Sequence, residues 1–247
     1  MVRVTLVVLL LAGCKSPAPE GSALLSQVKQ ALAERDARLG SYHLAGVTTE
    51  GAEQVTYEFF FRGPNKMRAA MLTPQRFAWS FDGQRLVRAI DATKKFETFE
   101  LKLPDDKAKL FLHATFSPFV LEGFRAPLMP LKGVTAARQG PDAVALRLEP
   151  GDGVTVTYVL RWPGADFLER RASSDGGTDL LKIEEELCDA ALKLCVPRLA
   201  VEYVDGQKRV ATRLTAIELN VELPADGFAP VAPDGWTRET RSVVEEN

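Results

Sequence analysis

Histidine is scarce in this chain: 247 residues contain two, His43 and His113. A histidine-ligated metal centre therefore lacks its ligands, and histidine-dependent acid–base chemistry has almost no candidates. The sequence also has no G-x-S-x-G, H-E-x-x-H, P-loop or G-x-G-x-x-G motif. No enzyme activity, catalytic residue, cofactor or metal is expected. Excess charge of one sign is missing too. Lys and Arg number 31 against 33 Asp and Glu, a net charge of −2 without a basic stripe, which argues against a nucleic-acid partner. After the first dozen residues no apolar run approaches the roughly 18 residues of a membrane-crossing helix. No Pro/Ser linker divides the chain and no internal repeat stands out, so its 46% apolar residues predict one core.

What the chain does have begins at its N-terminus. One basic residue, Arg3, precedes the apolar run LVVLLLAG, which stops at Cys14 and turns polar. A basic start, a short apolar stretch and small residues before a cut site make a secretory signal peptide. Leu11-Ala12-Gly13-Cys14 resembles the lipobox of bacterial lipoproteins. That resemblance implies cleavage of residues 1–13, acyl chains such as palmitate on Cys14, and anchoring in a membrane. Two or more chains hold a protein there almost permanently. By the same resemblance, Lys15 rather than Asp after the cysteine points to the outer membrane, facing the periplasm. Residues 14–21, rich in Pro and Gly, read as a tether.

With Cys14 assigned to lipid, Cys188 and Cys195 remain. Export places them in an oxidising compartment, where a disulfide across the hairpin ELCDAALKLCVPRL is expected. A metal site is the weaker alternative, because four ligands are wanted and no His or further Cys is near.

Ser22 reads as the N-cap of a helix in which Leu24, Leu25, Val28, Leu32 and Leu39 share one face, ended by Gly40. From Ser41 the period becomes two. Thirteen strand-like runs follow, broken by turn signals such as Gly63-Pro64-Asn65, Asp82-Gly83 and Asp205-Gly206. Asp175-Gly-Gly-Thr-Asp179 reads as a turn rather than a calcium loop, and Glu184–Glu186 as a solvated edge. The pattern breaks at Pro104, where a helix over about 105–115 leads into an apolar segment interrupted by Pro118, Pro127 and Pro130. The expected fold is mainly β. It is a single strongly curved antiparallel sheet, an unclosed β-barrel of about 11–13 strands, with its concave face covered by the N-terminal helix and the mid-chain helical insertion. The domain is expected over 22–236, with 237–247 a polar C-terminal tail.

Alternation puts Tyr57, Phe59 and Phe61 on one face of one strand, and Phe77, Trp79 and Phe81 on one face of another. The insertion adds Phe111, Phe116, Phe119 and Phe124. The residues leave two readings open for these ten rings. They fill a core, or they line a cavity for an acyl chain beneath a lid.

The order of features carries a resemblance. A lipobox is followed by the helix ALLSQVKQAL…LGSY, then EFFFRGPNKMRAAMLTP, then FAWSFDGQRLVRAIDATKKF, and near the end AIELNVELPADGFAPVAPDGW. This resembles the LolA/LolB-like superfamily of bacterial lipoprotein carriers, lipoprotein receptors and related lipid-binding lipoproteins, over roughly residues 22–236. The resemblance implies an unclosed barrel whose helices plug an apolar, acyl-chain-binding cavity. A lipid anchor of its own is receptor-like rather than carrier-like. Arg62 and Arg68 both fit the early-strand arginine of a carrier, and no motif chooses between them. The function implied is lipid or lipoprotein trafficking at the outer membrane, with lipid or an acylated protein as ligand. The alternative is an accessory or sensor lipoprotein that uses the fold to bind a protein partner.

Overall fold

The structure, a computed structural model, describes residues 20–124, 133–151 and 153–244. The expected signal peptide, Cys14 and most of the tether lie outside these residues, as do Pro127 and Pro130.

Helix α1 (Glu20–Arg38) leads into a first meander of β1 (Ser41–Glu50), β2 (Glu53–Arg62), β3 (Lys66–Thr73), β4 (Phe77–Phe81), β5 (Leu86–Ile90) and β6 (Lys95–Lys102). Helix α2 (Asp105–Phe116) and a 3-10 turn at Ser117–Phe119 follow. The second meander comprises β7 (Thr135–Arg138), β8 (Ala143–Gly151), β9 (Val154–Arg161), β10 (Asp166–Ser174), β11 (Gly177–Asp189), β12 (Leu194–Val204) and β13 (Gln207–Leu219). A 3-10 turn at Ala225–Phe228 precedes β14 (Thr237–Val244).

Among the described residues all fourteen strands form one sheet, ordered β14-β6-β5-β4-β3-β2-β1-β13-β12-β11-β10-β9-β8-β7. The end strands β14 and β7 are not neighbours in that order, so the barrel is unclosed. Bulges at Ala45/Gly46, Phe167/Glu169 and Ile183/Glu185 add the local bend and twist that such curvature needs.

Topology explains both long connections. β6 ends near one edge of the sheet and β7 forms the other, so the segment between them must cross the sheet. Its packing residues, Phe116, Phe119, Leu121 and Phe124, lie in the main core on the concave side. β13 ends at the centre, beside β1, and the chain must then reach β6. It does so over the convex face. There Ser80 Oγ donates to Phe228 O at 2.7 Å, and Val87, Phe96 and Ala232 form a second, smaller core.

Two sequence expectations need correction. The helix starts at Glu20, so Ser22 lies inside its first turn. Residues 237–244, read as part of a polar tail, form an edge strand that pairs parallel to β6. Its alternation is weak because an edge strand buries little, so TRETRSVV shows almost no apolar pattern.

Candidate functional site

Register carries one row of side chains across the concave face of the first meander: Leu44, Phe59, Ala69, Trp79, Arg88 and Glu97. Tyr57 and Phe61 flank Phe59 on the same face, as alternation requires. Tyr57 needs Gly46 opposite it, since a Cβ there would come within 2.6 Å of the phenol. α2 and the turn after it bring their own rings down onto this face. Phe116 meets Phe59 edge-on at 6.1 Å between centroids, and Phe119 meets Tyr57 at 6.0 Å and Phe77 at 6.1 Å. Phe124 reaches Tyr42 at 5.3 Å.

The ten rings singled out from the sequence all join one apolar cluster. They divide by exposure. Tyr57, Phe59, Phe61, Phe81, Phe116, Phe119 and Phe124 are at most 5% exposed and pack on one another and their neighbours. Phe77, Trp79 and Phe111 are only partly buried. Trp79 packs against Phe99 at 5.2 Å, and the Arg88 guanidinium sits 5.1 Å from the Trp79 ring. Of the ten rings, Phe77, Trp79 and Phe111 are the ones a ligand could reach without unpacking the core, and the first two share the inward face of β4. Burial drives the Tyr57 phenol well above its ordinary pKa, so it stays neutral.

The second meander is closed by α1. Val28, Leu32 and Arg35 form its buried stripe at helical spacing, and Leu39, just past its end, continues it. Arg35 is 1% exposed and is the one charged side chain on that stripe. Its Nε donates to Asp166 Oδ1 at 3.2 Å, Nη1 to Phe124 O at 3.1 Å and Nη2 to Cys195 O at 2.8 Å. Asp166 Oδ1 also accepts the Cys195 N–H at 3.0 Å. One guanidinium thus ties α1 to β10, to β12 and to the end of the insertion. Arg38 adds bonds to the carbonyls of Leu192 and Lys193 at the β11–β12 hairpin tip. Asn220 closes the C-terminal end of α1, accepting from Gly40 N and donating to Arg38 O. Sequence reasoning passed over Arg35. The signal was its place between Leu32 and Leu39 on the apolar stripe.

A second polar group lies on the concave face. Glu122 pairs with Arg170 at 2.8 Å. Burial raises the Glu122 carboxyl, Arg170 opposes this, and the charge of Glu202 adds to the rise. The nearby Tyr158 phenol is pushed up to about 12, by burial first and then by Glu122, with Arg170 opposing.

Cys188 and Cys195 stand opposite each other and form the expected disulfide. Glu186 lies within 4.8 Å of both sulfurs, but bridged cysteines offer no thiolate to a metal. Glu184 accepts from Tyr203, while Glu185 pairs with Arg213 and Glu186 with Arg161. His43 stacks on Phe60 and pairs with Glu218 at 2.8 Å. Arg62 and Arg68 both face the convex side, where each donates to a carbonyl of the crossing segment, Leu223 O at 3.0 Å and Gly227 O at 3.4 Å. No described helix is long and apolar enough to cross a membrane.

These features define an unclosed barrel with helices on its concave face. No protein-family model matches the sequence, and no curated protein sequence matches it either. Solved structures do. A DUF1329 family protein from Desulfovibrio piger aligns over 83% of this chain and 96% of its own, at 10% identity and a TM-score of 0.54. A putative outer membrane lipoprotein-sorting protein domain from Vibrio parahaemolyticus aligns over 81% and 94%, at 12% identity and a TM-score of 0.50. A LolA superfamily protein from Nitrosomonas europaea aligns over 81% and 96%, at 12% identity and a TM-score of 0.48. At such identities the likeness is one of fold.

Proposed function

We propose that this chain is an envelope lipoprotein, anchored to the outer membrane through acyl chains on Cys14, that binds acyl chains of lipid or of lipoproteins. The single observation that carries the reading is the half-buried margin of Phe77, Trp79 and Phe111, continuous with a fully buried aromatic core. Apolar surface of this kind binds by burial alone, at about 25 cal/mol per Å², and needs no reacting group. Entry deeper into the barrel requires the end of α2 with Phe116, and the turn with Phe119, to move. The resemblance of the lipobox and the fold of the Vibrio domain support the same reading.

A second reading has its own observation. Seven of the ten rings are packed against the chain's own side chains, and a filled interior suits an accessory lipoprotein that grips a protein partner. Native mass spectrometry with lipid extraction separates the two, using the exported chain with Cys14→Ser. The first reading expects a co-purifying phospholipid or acylated peptide that is lost in Trp79→Glu. A protein that stays empty after incubation with both ligands refutes it in favour of the second.

A further inference from the structure

The margin beside Trp79 is not only apolar. On this face of β5, β6 and β14 stand three cations, Arg88, Lys95 and Arg241, and two carboxylates, Glu97 and Glu239. The carboxylates are consumed within the group. Glu97 is 1% exposed and sits between the guanidinium groups of Arg88 and Arg241, at 2.5 and 2.6 Å. Glu239 takes Lys95 at 2.9 Å and Arg241 at 3.4 Å. One positive charge is left over.

The donors are partly spent. Arg88 uses Nε and Nη2 on Glu97, and no described residue partners its Nη1. Arg241 uses Nη2, and its side chain is 50% exposed. Arg88 also lies against the rings of Trp79 and Phe99, at 5.1 and 5.8 Å. Unspent guanidinium donors therefore adjoin half-buried aromatic surface on one continuous face. That juxtaposition matches an amphiphile in both parts, an acyl chain against the rings and a negative group on the arginines.

We infer that Arg88 and Arg241 seat the headgroup of an anionic phospholipid whose acyl chain lies against Phe77, Trp79 and Phe111. The inference rests on the acyl-chain reading above and adds the ligand's charge. Arg88 and Arg241 are binding residues, and Glu97 is a positioning residue that holds both guanidinium groups in place. The strand that supplies Arg241 is thereby part of the site.

The test is calorimetric titration of the exported Cys14→Ser chain with two short-chain phospholipids below their micelle concentrations, dihexanoyl phosphatidylglycerol and dihexanoyl phosphatidylcholine. The anionic lipid should bind about fivefold tighter, the scale of one partly exposed charge contact. Arg241→Gln leaves Arg88 on Glu97, and a thermal melt checks its fold. It should lose the preference, the larger loss of affinity falling on the anionic lipid. High salt should remove the preference in the unaltered site. Glycerol 1-phosphate should not compete, since it lacks the chain. Equal affinity for the two lipids, or a preference that survives both Arg241→Gln and high salt, overturns the headgroup inference alone. Glycerol 1-phosphate binding as tightly as the lipid would make the ligand a free phosphate ester and overturn it as well. Failure of both lipids to bind removes the acyl-chain reading beneath it.

Discussion

Replacing Arg35 by Met tests how the concave face is held shut. The side chain is nearly isosteric along its stem, so the substitution removes the guanidinium and little else. Three donated bonds disappear, to Asp166 Oδ1, Phe124 O and Cys195 O. Asp166 keeps the Cys195 N–H and a more distant Arg161 at 3.7 Å, but it remains a buried carboxylate without its main counter-charge. Removing one partner of a buried pair costs about 3–5 kcal/mol. A loss of about 4 kcal/mol should lower Tm by about 8–16 °C in a chain of this size. Thermal unfolding followed by far-UV circular dichroism reads the shift. The double variant Arg35→Met/Asp166→Asn removes both charges and keeps an acceptor for the Cys195 N–H, so it should recover about 2 kcal/mol of the loss. A single variant within about 1 kcal/mol of the parent, or a double variant less stable than the single one, would refute the argument that the ion pair fastens α1.

Three further outcomes follow from the same geometry. Cys188→Ala/Cys195→Ala opens a short hairpin loop and should cost about 2–3 kcal/mol, read by denaturant titration under non-reducing conditions; an unchanged midpoint would show that the hairpin holds without its bridge. Gly46→Ala puts a methyl 2.6 Å from the Tyr57 phenol and should cost about 1–3 kcal/mol by overpacking, whereas Gly46→Ala combined with Tyr57→Leu should regain much of it; the absence of any recovery would sink the steric account. Glu122 is raised above its ordinary 4.5, chiefly by burial, so the folded chain takes up its proton more readily than the unfolded one. That contribution to stability is full below the ordinary value and fades as pH rises through the folded one. Glu122→Gln should therefore gain on the parent between about pH 4 and pH 8, and an equal stability difference at both pH values in denaturant melts would contradict it.

Much of the architecture was legible in the sequence, because burial on one face of a sheet imposes a period of two. EQVTYEFFFR and FAWSF declare their inward faces outright, and both became strands with those rings buried or half-buried on the concave side. The Pro104 break likewise marked the chain's departure from the sheet. β14 was illegible for the converse reason. A strand at the rim buries too little to need alternation, so nothing in TRETRSVV separates it from a solvated tail. Its pairing depends on where the 220–236 segment delivers it, which is a matter of the path over the convex face.

The division between sequence and tertiary structure follows the range of the forces involved. The sequence by itself determined most element types, the inward faces of the strands, the main core, the disulfide pairing and the set of aromatic residues that meet on one side. Local periodicity and turn chemistry fix these within a few residues. Only the tertiary structure decided which rings are sealed and which remain reachable. That depends on where the end of α2 and the turn after it meet β2 and β4, and strands paired from distant parts of the chain set that position. It also decided the partners of the buried charges. Arg35 finds Asp166 131 residues away, and Arg241 reaches Glu97 across a parallel pair. Electrostatic pairing across a folded sheet leaves no mark in local sequence, because each partner is placed by packing that the other does not share.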